Sequence, residues 1–171
     1  MIRKIVSSQD PILKKVCKPV GVIDKKILQI IADLQNTLRV QKDPEGVAIA
    51  APQIGKLLRI FVVSHKGLER VVVNPEILKV SRKKAGQSQI MEGCLSLPNY
   101  YGPLKRASVV KIKYLNEQGK KVEEEFEGFF TQIILHEIDH LNGIFFVQRL
   151  LEQKKPLYKL NKNNEWEEVE L

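Results

Sequence analysis

The stretch LHEIDHLNG, residues 135–143, contains two histidines four positions apart with a glutamate directly after the first. In an α-helix, residues four apart lie on one face about one turn apart, so His136 and His140 can bind the same metal ion. Glu137 then lies beside them, where its carboxylate can hydrogen-bond a water on that metal. The surrounding segment, FFTQIILHEIDHL, is otherwise apolar, and ionisable groups are costly to bury there without partners. The pattern therefore predicts a metal site and favours a metal hydrolase.

A catalytic metal site of this kind needs a third protein ligand and an open position for water. The longer motif HExxHxxGxxH would place its third histidine where the chain has Phe146, so that completion fails. A glutamate ligand would have to be Glu152, and we find no convincing helical pattern around it. Cys94, in MEGCLSLP, is the better candidate because a thiolate binds divalent transition metals strongly. We interpret Cys17 as a small buried hydrophobe and His65 as a surface histidine in a turn.

Length and composition indicate one globular domain spanning residues 1–171. Of the 171 residues, 43% are hydrophobic and 28% are charged, which is ordinary for such a domain. No apolar run approaches the roughly 20 residues of a membrane span. The first residues lack the apolar core and cleavage site of a signal peptide, and two cysteines are too few for a disulfide scaffold. We therefore expect a cytoplasmic protein.

The apolar pattern predicts an α+β domain with mostly antiparallel strands. Helices are expected from Asp24, a suitable N-cap, to about Gln41, and from Phe129 to Asn142, with Gly143 at the helix stop. Strands are expected in LLRIFVVS, RVVVNPEILKV, VVKIKYL and KKVEEEFEG, and the tail YKLNKNNEWEEVEL should form a small hairpin. The remaining segments are interpreted as a loop or irregular strand (DPEGVAIAAPQIG), a polar basic loop (82–89), and a short strand followed by a turn (CLSLPNYYGP).

Three separate stretches resemble the peptide deformylase family. They are GVAIAAPQ (46–53), EGCLS (92–96) and HEIDH (136–140), in the family's order and at family-like separations. The resemblance extends over most of the chain, and the three motifs together are highly specific. It implies a single α+β domain in which mostly antiparallel sheets pack around a central helix carrying HExxH. It also implies removal of the N-formyl group from the N-terminal formylmethionine of nascent polypeptides.

The resemblance assigns roles to the residues of these motifs. Cys94, His136 and His140 would hold one divalent metal ion, which is ferrous iron in many members and replaceable by zinc, nickel or cobalt. Glu137 would be the general base and acid that delivers hydroxide to the formyl carbon, since metal coordination lowers the pKa of water towards about 7.

Further residues of the same motifs would contact the substrate. Gln53 and the backbone N–H of Leu95 would stabilise the oxyanion, and one preorganised donor can contribute roughly 3 kcal/mol. The peptide would bind like an added strand against the backbone of Gly46, Val47, Ala48 and Gly93. Helical spacing and the middle motif suggest a methionine pocket formed by Ile90, Leu95, Phe129, Gln132 and Ile133. Arg106 and Asp139 resemble an ion pair that steadies the ligand helix.

Four positions depart from the family's usual pattern. Ala48 replaces the second glycine of GxGLAAxQ, where a methyl group narrows the peptide groove. Tyr101 stands where arginine is common, which puts contacts to the substrate backbone or carboxyl group in doubt. Gln132 brings a polar group to an aliphatic pocket, and Leu135 replaces a glutamine with a change in packing. None of these departures removes a catalytic group.

The implied partner is an N-formylmethionyl peptide, and we expect a monomer that binds neither a membrane nor a specific nucleic-acid sequence. The net charge of +8 is compatible with transient association with the ribosome. A bacterial-type cytoplasmic location is expected, with an organellar one left open. Two alternatives remain: a related hydrolase for another N-acyl group, and a structural metal module that binds RNA. An open coordination position beside Glu137 favours an enzyme.

Overall fold

Two antiparallel sheets flank the helix that carries the two histidines. The computed structural model describes residues 1–81 and 90–171, so the basic loop expected at 82–89 lies outside the described residues. The helices are α1 (Lys25–Arg39), α2 (Phe129–Leu141) and α3 (Phe146–Glu152), with 3-10 turns at Pro11–Lys14 and Ala51–Ile54. None of the described helices combines the length and the apolar character that crossing a membrane requires.

The first sheet has five strands in the order β1-β2-β3-β6-β7, and the second has four in the order β4-β5-β8-β9. Their bounds are β1 (Ala48–Ala50), β2 (Ile60–His65), β3 (Leu68–Ser81), β4 (Glu92–Cys94), β5 (Leu97–Gly102), β6 (Val109–Leu115), β7 (Lys121–Glu127), β8 (Leu157–Leu160) and β9 (Trp166–Val169). All strand pairs are antiparallel, which confirms the predicted fold class. Among the described strands, β1 and β4 each stand at the edge of a sheet.

The first sheet is buried on both faces at β1 and over most of β2. Side chains alternate along a strand, so Ile60 and Val62 of β2 face α1 while Phe61 and Val63 face α2. A strand that is covered on both sides has a continuous run of apolar residues, and β2 accordingly begins with IFVV. Helix α1 is amphipathic as predicted, and the Asp24 carboxylate caps it by accepting from the Ile27 N–H at 2.9 Å.

Helix α2 is apolar on most of its surface because it lies between the sheets. Ten of its thirteen residues are buried, and half-buried Leu135 packs against the same core cluster as Ile133 and Ile134. The second sheet packs on α3 through Leu104, Phe146, Leu150 and Leu157. The predicted strands VVKIKYL and KKVEEEFEG pair as the hairpin β6–β7, and the small hairpin predicted in the tail is present as β8–β9.

Three expectations about local structure were wrong. Helix α3 was not predicted, and Glu152 is its last residue; its exposed carboxylate pairs with Arg149 at 3.1 Å, so it faces the surface network rather than the histidines. CLSLPNYYGP contains a turn between β4 and β5, not one strand followed by a turn. His65 ends β2, and its half-buried ring packs edge-on against Phe129 at 5.1 Å, so it is not a surface turn residue.

Candidate metal and catalytic centre

Helix α2 is fixed at both ends, which sets the position of its functional side chains. At the start, the Thr131 hydroxyl donates to the Phe126 carbonyl at 2.6 Å. At the end, the Leu141 carbonyl accepts from the Cys17 N–H at 2.9 Å and from Arg59. Gly143 follows with φ +72°, and a Cβ there would approach the Lys14 carbonyl oxygen to 2.7 Å. Only glycine meets both conditions, so the helix stop and the chain crossing are specified together.

The donor atoms of Cys94, His136 and His140 converge. One ligand atom from each lies within 4.8 Å of the others, and Cys94 Sγ is 3.3 Å from His140 Nε2. The two imidazole rings come from adjacent turns of α2 with their centroids 4.9 Å apart. Cys94 arrives from the other side, at the end of β4. A thiolate and two imidazoles arranged in this way suit a divalent transition metal.

Glu92 orients the first histidine, a role that the sequence did not indicate. The Nδ1 atom of His136 lies 2.6 Å from Oε1 of Glu92. Burial raises the pKa of this carboxyl group, but hydrogen bonds from Arg106 and His136 outweigh that effect and lower it to about 2. An ionised carboxylate only accepts, so Nδ1 carries the proton and Nε2 is the nitrogen that could bind a metal.

A chain of buried charges continues behind Glu92. Arg106 donates to both Glu92 oxygens, at 2.6 and 2.7 Å, and to Asp139 at 2.9 Å. Arg149 of α3 adds two donors to Asp139, at 2.9 and 3.1 Å. The expected Arg106–Asp139 contact is therefore present, while Glu92 and Arg149 were missed. Side-chain alternation could have indicated that Glu92 lies near the metal donors, because Glu92 and Cys94 are two apart on a strand and share a face.

The electrostatic state of the two histidines differs. Burial lowers the pKa of His136, but hydrogen bonds to Cys94 and Glu92 outweigh that effect and raise it well above its usual range. Burial and the nearby charge of His136 hold the pKa of His140 well below its usual range. His136 is thus the more basic donor, as expected for an imidazole backed by a carboxylate.

Glu137 is buried beside the donor atoms. Its side chain is almost fully enclosed, and burial raises the pKa of its carboxyl group to about 7. Within the described part of the chain, its Oε2 atom is buried without a hydrogen-bond partner. An orphaned carboxylate oxygen next to three metal donors fits a centre that holds a metal ion and its water.

The side chain of Gln53 is held in place by a hydrogen bond from the backbone three residues earlier. Its side-chain oxygen accepts from the Ala50 N–H at 2.9 Å, so its amide nitrogen points away, towards Ser96 Oγ at 3.2 Å and Cys94 Sγ at 3.5 Å. Leu95 follows Cys94 in the β4–β5 turn and lines the adjacent cavity. The side-chain amide of Gln53 is therefore preorganised at the donor cluster.

A cavity of about 180 Å³ opens beside Glu137. Its lining includes eight residues expected to contact substrate or oxyanion: Val47, Ala48, Gln53, Gly93, Leu95, Phe129, Gln132 and Ile133. Pro44, Glu45 and Met91 also line it and were not expected, and so does Tyr101, at the position where substrate contacts were in doubt. Gly46 and Ile90 are not among the described lining residues. A Cβ on Gly46 would approach Leu38 Cδ1 to 2.8 Å, so this glycine lets the loop pass close to α1.

A larger groove of about 780 Å³ lies beyond Gly46. Polar and charged residues dominate its lining, and it includes neither the metal donors nor Glu137. The smaller cavity is therefore the one that belongs to the catalytic centre.

The fold and this site define an α+β protein whose central helix places two histidines and a glutamate beside a cysteine, in a cluster that suits a divalent metal ion. The polypeptide deformylase family model matches residues 2–156, and the chain belongs to that family. It is 44% identical to peptide deformylase 2 of Clostridium acetobutylicum over 154 residues, covering 90% of this chain and 99% of that one. A peptide deformylase structure from Legionella pneumophila matches with a TM-score of 0.79 at 40% identity, covering 88% and 86% of the two chains. A class I type b structure from Acinetobacter baumannii with Met-Ala-Ser bound matches with a TM-score of 0.78 at 35% identity, covering 87% and 98%.

Proposed function

We propose that this protein removes the N-formyl group from the N-terminal formylmethionine of nascent polypeptides, with Cys94, His136 and His140 as the metal ligands. The observation that carries the assignment is the convergence of these three donors beside the buried, unpartnered oxygen of Glu137. A closed structural site would provide a fourth ligand instead of a carboxylate poised for proton transfer.

The metal ion is divalent, and ferrous iron is the proposed native ion, with zinc, nickel or cobalt as replacements. One thiolate and two imidazoles select transition metals over magnesium or calcium, which prefer oxygen ligands. A divalent ion in this centre lowers the pKa of water and polarises a carbonyl group. Metal analysis of protein purified without oxygen identifies the native ion.

The residues around the centre divide the remaining work. Glu137, with its pKa raised to about 7 by burial, accepts a proton from water and returns it to the leaving amine. The amide nitrogen of Gln53 and the N–H of Leu95 donate to the oxygen of the formyl group as negative charge develops there. Glu92 keeps His136 in one tautomer, and the Arg106–Asp139 pair keeps α2 in register with it.

The cavity accommodates the first residue of the substrate. Phe129, Ile133 and Leu95 offer apolar walls to an unbranched thioether side chain, and Gln132 places one polar group among them. The peptide backbone lies extended between the edge strands β1 and β4. The formyl group is small enough to reach a centre this enclosed. We further propose that Gly46 and Ile90 support this groove from outside the cavity.

The quaternary and cellular context is also proposed. Residues 1–171 act as one catalytic domain, as a monomer in a bacterial-type cytoplasm, with transient contact to the ribosome through the basic surface. Sedimentation of the purified protein, alone and with ribosomes at increasing salt, tests both statements, because charge-driven binding weakens as salt is added.

The central test is deformylation of formyl-Met-Ala-Ser by anaerobically prepared protein loaded with iron or nickel. Glu137→Gln should bind metal normally and lose roughly 10²–10⁴-fold in kcat, the range for a general base. Cys94→Ala should lose tightly bound metal, whereas Cys17→Ala, which alters a buried thiol elsewhere in the core, should retain it. If the metal-loaded wild type were inactive, the proposed function would be wrong. If Cys94→Ala retained all of its metal, this cysteine would not be a ligand.

A further inference from the structure

One row of directly opposed residues crosses the second sheet next to the substrate cavity. Gly93 of β4 is paired with Tyr101 of β5, Tyr101 with Tyr158 of β8, and Tyr158 with Glu168 of β9. Residues opposed in this way share one face of the sheet. Trp166 is two positions before Glu168 and therefore shares that face as well.

This face is aromatic and solvent-accessible, and it is continuous with the cavity. The Tyr101 ring lies directly over Gly93, since a Cβ on that glycine would approach ring atoms of Tyr101 to 2.6 Å. Tyr101 also lines the cavity. Its ring packs edge to face on Trp166 with centroids 5.5 Å apart, and Trp166 keeps 51% of its surface exposed. The C-terminal hairpin therefore packs, through Trp166, against a residue that lines the cavity.

Acidic residues lie at this end of the cavity although the net charge is +8, and Lys42, whose backbone is bridged to that of Glu45, is a neighbouring cation. Glu45 lines the cavity together with Tyr101. Burial and the negative charge of Asp43 raise the pKa of Tyr101, so Asp43 also lies within electrostatic reach of this ring. Glu168 extends the acidic character along the row. The nearby Lys159 belongs to the other face of the sheet, where its ammonium lies over the Tyr100 ring at 5.7 Å.

We propose that Tyr101, Trp166 and Glu168 form a subsite for a basic side chain at the second residue of the formyl peptide. This inference rests on the proposed function and specifies its substrate class. A lysine or arginine placed there lies over the exposed rings, whose faces attract cations, and close to the carboxylates of Glu168 and Glu45. An acidic second residue meets repulsion from the same carboxylates.

The second residue is selected by strand geometry. A peptide that adds to the free edge of β4 has side chains that alternate between the two faces of the extended sheet. The first side chain enters the cavity, on the Cys94 side of β4. The next therefore lies on the Gly93 side, where Tyr101 reaches over the strand. A long basic side chain extends from there towards Trp166.

The test compares formyl-Met-Lys-Ser, formyl-Met-Ala-Ser and formyl-Met-Glu-Ser as substrates of the metal-loaded protein. In low salt, we expect kcat/KM to fall in that order, with about a tenfold span from lysine to glutamate, because ion pairs and cation–π contacts at exposed sites are modest. The ratio of lysine to glutamate should shrink as salt is added. Activity on all three peptides at equal rates overturns the subsite, whereas inactivity on all three overturns the proposed function instead.

Two variants assign the preference to the hairpin. Trp166→Ala should lower the ratio of lysine to alanine by about threefold, while Trp166→Phe, which keeps an aromatic face, should retain most of it. Glu168→Gln should reduce the lysine-to-glutamate ratio. Leu151→Ala, an exposed residue on α3, is the matched control and should leave every ratio unchanged. Unchanged ratios in folded Trp166→Ala and Glu168→Gln, with cooperative thermal unfolding as the check on folding, would place the preference elsewhere.

Discussion

Two buried carboxylates, Asp33 on α1 and Glu92 on β4, have nearly the same electrostatics and different uses. They are 2% and 3% exposed, and the pKa of each is lowered to about 2. In both cases burial raises the pKa and hydrogen bonds from cationic or amide partners outweigh it. Asp33 accepts from the amino group of Met1 at 2.8 Å, from Gln29 at 2.9 Å and from Arg3 at 2.7 Å.

The partners, rather than the pKa values, separate the two regions. Every partner of Asp33 belongs to its own helix or to the N-terminal segment, so that cluster fastens the segment to α1. Glu92 instead holds His136, whose other ring nitrogen is the proposed metal donor, and joins it through Arg106 to Asp139. A strongly shifted pKa therefore identifies a well-partnered buried acid, and only the geometry around it identifies a functional centre.

The largest expected effect comes from Glu92→Gln. The neutral amide loses the ion pair with Arg106 and weakens its hold on His136, leaving a buried cation without its main partner. We expect metal affinity to fall about 10–100-fold and the free energy of unfolding of the metal-free protein to fall by about 3 kcal/mol. Competition with a chelator and urea unfolding measure the two effects. Wild-type metal affinity in this variant would contradict the role given to Glu92.

Asp33→Asn is the matched change in the other region. It removes the charge that Arg3 and the amino group of Met1 contact, so we expect the free energy of unfolding to fall by about 1–3 kcal/mol. Metal affinity should stay within about twofold of wild type, since charges far from the centre couple weakly to it. The same chelator competition and urea unfolding apply. A large loss of metal affinity in Asp33→Asn would contradict the conclusion that only the Glu92 cluster positions the metal donors.

The pH dependence of Asp33 sharpens the comparison. Its pKa is lower in the folded protein, about 2, than the ordinary 3.8, so the unfolded chain binds the proton first as pH falls. The stabilisation from Asp33 is therefore fully present above the unfolded value and is lost as pH falls from about 4 to about 2. The stability difference between wild type and Asp33→Asn should shrink over that window in urea unfolding series. A difference that persists at pH 2 would contradict this assignment.

The smallest effect is expected for Arg149→Lys. Lysine keeps the charge but cannot make the two parallel contacts that the guanidinium of Arg149 makes with Asp139. Arg149 is partly exposed and Arg106 still holds Asp139, so metal affinity should fall no more than about threefold. If chelator competition showed that Arg149→Lys loses as much metal affinity as Glu92→Gln, the outer end of the network, rather than Glu92, would set the position of His136.

The sequence predicted features that are local or that repeat with a fixed period. HExxH lies on one helix face because of helical geometry alone, and the β-branched apolar run of β2 and the hairpin in the tail follow from short-range patterns. Cys94 was found because a two-histidine site lacks a ligand. These inferences needed no knowledge of which distant segments meet.

The missed features depend on distant contacts. Glu92 was visible in EGCLS, but its role requires knowing that β4 passes beside His136. Helix α3 has seven residues, too few to be stable alone, and forms because Phe146 and Leu150 pack under the second sheet. Trp166 gains its position only after three strands have paired in sequence. Each of these features depends on tertiary packing, which one amino-acid sequence does not reveal.

The shortness of β1 and β4 has a consequence for the behaviour of the protein in a crowded cell. Each has three residues and, among the described strands, stands at the edge of its sheet. Such edges are templates on which any extended chain, including another copy of the protein, can build a growing sheet. Three residues offer too few hydrogen bonds to hold a foreign sheet firmly, which protects against aggregation. If the peptide binds between these strands as proposed, they also form few hydrogen bonds with it, so that a processed polypeptide leaves easily and the next one enters.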